Sequence, residues 1–243
     1  MSALLEIHGL LKKFGGVTAV NQCSFEVQEG SITALIGPNG SGKTTAFNII
    51  TGYLKADAGT IAFRGNTIED PNPASLYRSG LSRTFQQARI FPELTVLENL
   101  VVASSFSWKG LFGSRVSVGD RERAMETLSE FKLTKLADYQ ASELSYGQRK
   151  LLEFASVLMS DPKLVLLDEP TAGVNPVMIE TMEKHIRSRH AAGVTFLIVE
   201  HDMQLVMRLC NPVIVLDRGA MIAKGTPSEI QSNPQVLEAY LGS

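Results

Sequence analysis

Cysteine is scarce in this 243-residue chain: Cys23 and Cys210 are the only two, far apart and without metal-ligand spacing. That excludes a disulfide framework and a thiolate metal site, and leaves two buried thiols in a reduced compartment as the expectation. No charge of one sign dominates either, since 23 Lys and Arg face 25 Asp and Glu for a formal charge of −2. Such a balance argues against a nucleic-acid binder working through a broadly basic surface. No uninterrupted apolar run exceeds four residues, as at 164–167 and 196–199; a bilayer span needs about 20. The opening Met1-Ser2-Ala3-Leu4-Leu5-Glu6 lacks the basic patch and apolar stretch of a secretion signal. Hydrophobic residues still make up 44% of the chain, ample for a core and too many for disorder. The expectation is a soluble, cytoplasmic, globular protein of one domain with sub-lobes, or of two small domains.

What is present begins as β. Residues 23–28 alternate apolar and polar with period two, the pattern of a half-buried strand. After a turn at Glu29-Gly30, residues 31–36 end in an apolar run that fits a strand covered on both faces. Gly37 to Gly42 read as a loop, and Lys43 to Gly52 as a helix with its closing glycine. Residues 59–66 predict a short strand and turn. From about 88 to 158 the strand patterns fade, and 121–131 carry helix formers with Ala124, Leu128 and Phe131 at helical spacing. Residues 104–120, rich in Ser, Gly and Phe and holding Trp108, read as an irregular surface excursion. The α/β rhythm resumes at Pro162 with strand 164–167, helix 177–190, strand 194–199, helix 203–210 and strand 213–216. A three-residue hairpin loop, Asp217-Arg218-Gly219, is expected next. These patterns predict a nucleotide-type α/β core interrupted by a mostly helical lobe.

Gly37-x-x-x-x-Gly42-Lys43-Thr44 completes the phosphate-loop pattern between a strand and a helix, the context that motif requires. Glycines let backbone N–H groups curl around an anion, and the helix start adds unpaired donors and a positive dipole end. Lys43 supplies a movable charge for the β- and γ-phosphates, and Thr44 offers a hydroxyl to Mg²⁺. The chain is therefore expected to bind a nucleoside triphosphate.

Hydrolysis needs further groups. Residues 164–167 are four apolar residues running into Asp168 and Glu169. Ligands of open parallel sheets sit beyond the carboxyl ends of strands. Strands ending at Ile36, Leu167 and Val199 should therefore bring Lys43, Asp168-Glu169 and Glu200-His201 to one rim. Adjacent residues at a strand end point opposite ways. Asp168 suits an outer-sphere partner of Mg²⁺, and Glu169 the group that polarises the attacking water. His201 suits a donor to the γ-phosphate that orients this water.

A second helix start lies at Leu144-Ser145-Tyr146-Gly147-Gln148. Ser145 with Gln148 three later is a capping box, and Leu151, Leu152, Ala155, Leu158 and Met159 form the buried stripe behind it. Gly147 is expected to leave the first turn bare, so that a phosphate reaches the backbone donors and the Ser145 hydroxyl if another subunit presents it.

Together these residues resemble the ATP-binding subunits of ABC transporters over nearly the whole chain. Gly37 to Thr45 is similar to the Walker A motif, Leu164 to Glu169 to Walker B, and Leu144 to Gln148 to the family signature, with Tyr146 in its third place. The resemblance implies an α/β fold: a P-loop NTPase (RecA-like) core with an antiparallel β subdomain and an inserted helical subdomain. It implies one domain over 1–243, with core lobes 1–87 and 160–243 and a helical signature lobe 88–159. It implies ATP and Mg²⁺ as ligands. Phe14 takes the adenine-stacking place; Gly37, Pro38, Asn39, Gly40, Ser41, Gly42, Lys43, Thr44 and Thr45 hold the phosphates; and Ser145, Gly147 and Gln148 face the nucleotide of a partner subunit. Thr44, Gln86 and Asp168 are the implied Mg²⁺ residues, and Glu169, His201 and Gln86 the implied catalytic ones. Asn175 stands where the family's D-loop usually carries aspartate, which removes a charge from that loop.

The same resemblance implies a head-to-tail dimer, homo- or heteromeric, transmembrane permease subunits that dock around Gln86 to Glu98, and, indirectly, a periplasmic or extracellular substrate-binding protein. It implies no nucleic-acid partner and a place on the cytoplasmic face of the membrane. The Arg83-Thr84-Phe85-Gln86 string, the Phe91 to Asn99 run, Tyr146 and the Gly225-to-Gly242 tail are similar to importers of branched-chain amino acids, most to the larger of their two ATP-binding subunits. The 104–120 excursion is similar to an insertion in that subunit. The ATPase of a lipopolysaccharide-type exporter and a soluble, non-transport ABC ATPase remain as alternatives.

Overall fold

The computed structural model describes residues 2–86, 88–104 and 118–241, so most of the expected excursion at 104–120, Trp108 included, lies outside the described residues. In chain order the strands are β1 (Ala3–Phe14), β2 (Val17–Gln28), β3 (Ile32–Ile36), β4 (Ala58–Phe63), β5 (Asn66–Thr67), β6 (Leu81–Arg83), β7 (Leu164–Asp168), β8 (Thr195–Val199), β9 (Val213–Asp217) and β10 (Ala220–Gly225). The helices are α1 (Lys43–Ile50), α2 (Pro73–Ser79), α3 (Val96–Ser104), α4 (Val118–Glu130), α5 (Tyr146–Leu158), α6 (Pro176–Ala191), α7 (Met203–Leu209), α8 (Pro227–Gln231) and α9 (Pro234–Leu241). They divide into two compact units. One comprises Met1–Arg83, Lys163–Glu169 and Arg187–Ser243; the other comprises Thr84–Pro162 and Pro170–Ile186.

The first unit holds two sheets. In the antiparallel one, ordered β2-β1-β4-β5, Leu5 and Ile7 are buried while His8 faces out, and on β2 Cys23, Phe25 and Val27 turn in. In the other, ordered β10-β9-β3-β8-β7-β6, the strands β9, β3, β8, β7 and β6 run parallel and only β10 is antiparallel. β3, β7 and β8 are buried at every residue, which is why their sequences read as apolar runs rather than alternations. One apolar cluster gathers Leu5, Ile7 and Phe25 from the first sheet, Leu35, Leu166, Leu197 and Ile214 from the second, and Phe47, Ile49 and Ile50 from α1. This packing anchors α1, and the loop before it, at the carboxyl end of β3.

Among the boundaries that differ from the sequence expectation, two lie close to the site. Asp217 pairs with Ala220 in the β9–β10 ladder, so the hairpin loop has two residues, not three. Arg218 and Gly219 carry φ of +46° and +82°, as a twist-compatible two-residue turn requires. Likewise β7 runs one residue further than expected, because Asp168 still pairs with Val199.

In the second unit α3, α4 and α5 carry the core. Ala124, Leu128 and Phe131 are buried, as are Leu151, Leu152, Ala155, Leu158 and Met159. Phe131 meets Phe154 edge-on at 5.8 Å and stacks on His185 at 3.9 Å. Asn99 closes the turn before α3: its Oδ1 accepts from Phe91 N–H at 2.8 Å and its Nδ2 donates to the Phe91 carbonyl at 3.0 Å. No helix among the described residues is long and apolar enough to cross a membrane.

Candidate functional site

α1 begins without a cap. Gly42 has φ of +99°, gives no side-chain hydrogen bond to the first turn, and is followed by no acidic residue there. The leading N–H groups of such a helix have no partner within it and carry its positive dipole end. The chain can reach this geometry only with glycine: a Cβ on Gly37 would lie 2.1 Å from the Leu216 carbonyl oxygen, and one on Gly42 2.4 Å from that of Ala19. Lys43 fills the loop from inside. Its Nζ donates to the carbonyls of Gly37 at 2.8 Å and Pro38 at 2.9 Å, and lies 3.3 Å from Ser41 Oγ. Burial holds its pKa below the ordinary lysine value, against the opposing charges of Glu169 and then Asp168. A cationic side chain folded onto neutral carbonyls, beside open amides, is a cradle for an anion.

A cavity of about 310 Å³ opens over this helix start, lined by Phe14, Ala19, Asn39 to Thr45, Glu169 and His201. Thus Phe14, the loop and two of the three expected catalytic residues meet in one hollow of the first unit. Phe14 is half exposed, so its ring is available for stacking rather than spent in the core. Glu169 follows β7 with φ of +47°, a left-handed conformation that costs a non-glycine residue, and its N–H donates to the Val199 carbonyl at 2.9 Å. That backbone turn separates the two carboxylates. Glu169 Oε1 lies 3.0 Å from His201 Nε2 at the open rim. Asp168 points the other way and is 3% exposed. The His201 backbone is itself held, since Glu200 Oε2 accepts from its N–H at 2.9 Å and Asp202 caps α7.

Sequence reasoning missed Arg83. Its Nη2 donates to Asp168 Oδ2 at 2.7 Å, in a pair almost wholly buried, while its Nη1 donates to Asn48 Oδ1 and Thr51 Oγ1. It therefore ties the Asp168 carboxylate to α1. The tail also reaches the loop, as Tyr240 of α9 shares a hydrogen bond with the Gly37 backbone. The Thr44 hydroxyl and the Asp168 carboxylate are hard oxygen donors that suit Mg²⁺, an ion that takes most of its ligands from phosphate and water. Among the described residues no three His, Cys, Asp or Glu side chains group as a metal cage.

Gln86, Ser145, Gly147 and Gln148 belong to the second unit. Gln86 is exposed, and its carbonyl lies 3.5 Å from the Tyr146 hydroxyl. The capping box is present: Gln148 N–H donates to Ser145 Oγ at 3.4 Å, and Ser145 N–H to Gln148 Oε1 at 2.9 Å. The first turn is less bare than expected. A Cβ on Gly147 would meet Met178 Sδ at 2.3 Å, so the glycine makes room for that thioether. Asn175 caps a helix, since its Oδ1 accepts from Met178 N–H at 3.0 Å at the start of α6.

Comparison with known proteins identifies the family. The sequence model of the ABC transporter family matches residues 20–172, and that of the branched-chain amino acid ATP-binding cassette transporter matches 220–243. The chain is 42% identical to the high-affinity branched-chain amino acid transport ATP-binding protein LivG of Salmonella typhimurium, over 98% of both chains. It is 41% identical to BraF of Pseudomonas aeruginosa, of the same description, again over 98% of both. A solved nucleotide-free ATP-binding cassette from an ABC transporter superposes with a TM-score of 0.88 at 37% identity, covering 100% of each chain.

Proposed function

The chain belongs to the ABC transporter family as one of its ATP-hydrolysing cassettes, and from that premise we propose that it energises the import of branched-chain amino acids. The observation that carries this reading is the end-to-end likeness to LivG and BraF, reinforced by the tail match at 220–243. On this reading the protein sits on the cytoplasmic face of the membrane against permease subunits, which dock around Gln86 to Glu98, and serves a substrate-binding protein outside.

The site residues take these roles. Phe14 stacks on adenine, the amides of Gly37 to Thr45 wrap the phosphates, and Lys43 swings from its carbonyl ligands to the β- and γ-phosphates. Thr44 and Gln86, with Asp168 in the outer sphere, would hold Mg²⁺, which would supply neutralisation of phosphate charge. Glu169 accepts a proton from the attacking water, and His201, already on Glu169, orients that water and the γ-phosphate. Ser145, Gly147 and Gln148 of a second subunit face the same triphosphate, so ATP joins two copies and its hydrolysis parts them. The core lobes 1–87 and 160–243 carry the first set and the helical lobe 88–159 the second.

Co-expression with candidate permease subunits tests the function. The expected result is a complex that takes up radiolabelled leucine, isoleucine or valine into vesicles only with ATP and the binding protein. A complex that forms and hydrolyses ATP yet moves none of these amino acids would overturn the substrate assignment.

A further inference from the structure

α5 begins with the signature residues Ser145 to Gln148, and about one and two turns later it carries two charged residues that are almost fully buried, Lys150 at 2% exposure and Glu153 at 3%. Neither has a part in the chemistry above. Both are directed at the short loop that carries Gln86. Glu153 Oε1 accepts from Phe85 N–H at 3.1 Å and from Arg89 N–H at 3.0 Å, so a single carboxylate oxygen clasps the two ends of the segment 85–89. Lys150 Nζ donates to the Phe85 carbonyl at 3.0 Å. The Arg89 guanidinium lies 3.7 Å from the centre of the Phe85 ring, closing the loop on itself. A charge taken out of water is costly unless it is paired and hydrogen-bonded, and here the compensation is spent on one loop.

We propose that Glu153 is a positioning residue that fastens the Gln86 loop to the signature helix, so that the two nucleotide-facing parts of the second unit move as one body. Its consequence for turnover rests on the roles assigned above to Gln86 and Ser145; the fastening itself does not. When a permease moves the loop, α5 must follow, and a nucleotide drawn to the α5 start equally repositions Gln86. Because both amides land on one oxygen, a neutral side chain with a carbonyl in the same place keeps the clasp. Glu153→Gln therefore holds the loop and Glu153→Ala releases it.

The test uses the full chain in three forms, wild type, Glu153→Gln and Glu153→Ala, with three readouts: hydrogen exchange of the Phe85 and Arg89 amides, Kd for ATP, and kcat. Glu153→Ala is expected to speed exchange at both amides by roughly tenfold or more, the loss of a hydrogen bond to a charged group, and to lower kcat by about tenfold. Kd for ATP, set in the first unit, should stay within about twofold. Glu153→Gln should bring exchange and kcat back to within about threefold of wild type. A residue that merely supported the fold would move Kd and kcat together and would not discriminate Gln from Ala. Unchanged exchange in Glu153→Ala overturns the clasp, and faster exchange with unchanged kcat overturns its role in turnover. Should Glu153→Ala not fold, Lys150→Met removes the bond to the Phe85 carbonyl and the Lys150 charge near Glu153 while leaving the Glu153 carboxylate in place. It should lower kcat about threefold, and an unchanged kcat there counts against the proposal. Wild-type protein that bound no ATP would refute the nucleotide site, while the exchange arm still reads the clasp.

Discussion

α1 and α5 both start with glycine in or beside the first turn, yet they treat their leading amides in opposite ways. At α1 the position before the helix is Gly42, no side chain caps the turn, and the nearest cation lies on the carbonyls of Gly37 and Pro38. At α5 the donors are partly used by the chain itself, through the reciprocal Ser145 and Gln148 bonds, and the space beside Gly147 belongs to Met178. An uncapped start is an anion site as it stands. A capped start becomes one only when an incoming ligand outcompetes the cap, which is what a site completed by a second subunit needs. The 3.4 Å bond from Gln148 N–H to Ser145 Oγ is the weak member of the box and the one such a ligand would displace.

If this contrast is right, changes in the first unit should hurt most. The largest effect is expected from Glu169→Gln, which keeps the shape of the rim but removes the proton acceptor beside His201. Turnover should fall by about 10²- to 10⁴-fold while ATP still binds. Single-turnover hydrolysis at the wild-type rate would remove Glu169 from the chemistry. Next comes Lys43→Ala, which deletes the cation of the uncapped start. ATP affinity should drop by about a hundredfold in a titration, the scale of losing a charge-assisted contact to phosphate. Unchanged affinity would mean that the open amides alone hold the anion.

Ser145→Ala sharpens the other half of the comparison. In the single chain it should cost about 1 kcal/mol of stability through the lost cap, read by denaturant unfolding. Its ATP affinity should stay within about twofold of wild type, because on the proposed reading the α5 start meets nucleotide only across a dimer. An affinity loss as large as that of Lys43→Ala, measured on monomer, would erase the distinction between the two starts.

The two starts were also unequally legible. The phosphate loop is a run of consecutive residues, and the strand before it and the helix after it announce themselves by pattern, so its residues and their meeting in one cavity followed from local sequence. So did the α/β fold and the Ser145 box. Arg83 did not, because its partner Asp168 lies 85 residues away and only the β6–β7 pairing brings them together. Neither did Glu153, because its partners lie 68 and 64 residues upstream. Other signals were present but unread. Asn72 before Pro73 caps α2, Thr226 with Glu229 caps α8, and Asn175 before Pro176 caps α6. The hairpin was misjudged by one residue because the end of a ladder depends on the partner strand, which composition does not reveal.

The smallest expected effect separates the buried charges of the two units. Burial disfavours the charged form in both, lowering the Lys43 pKa and raising that of Glu153, the latter against the Arg89 and Phe85 amides and the Lys150 and Arg89 charges. For Glu153 the folded value lies above the ordinary 4.5. Below that ordinary value both folded and unfolded chains carry the neutral acid, and its full contribution to stability is present. As pH rises, the unfolded chain ionises first, and the contribution is lost until the folded pKa is passed. Glu153→Gln has no such dependence, and the other carboxylates cancel when the two proteins are compared at each pH. The Tm of Glu153→Gln relative to wild type should therefore climb from pH 4 upward and then level off. A flat difference would mean that the loop amides and neighbouring cations fully offset the cost of burying this carboxylate, a compensation that Lys43 of the first unit, its pKa still lowered by burial, does not reach.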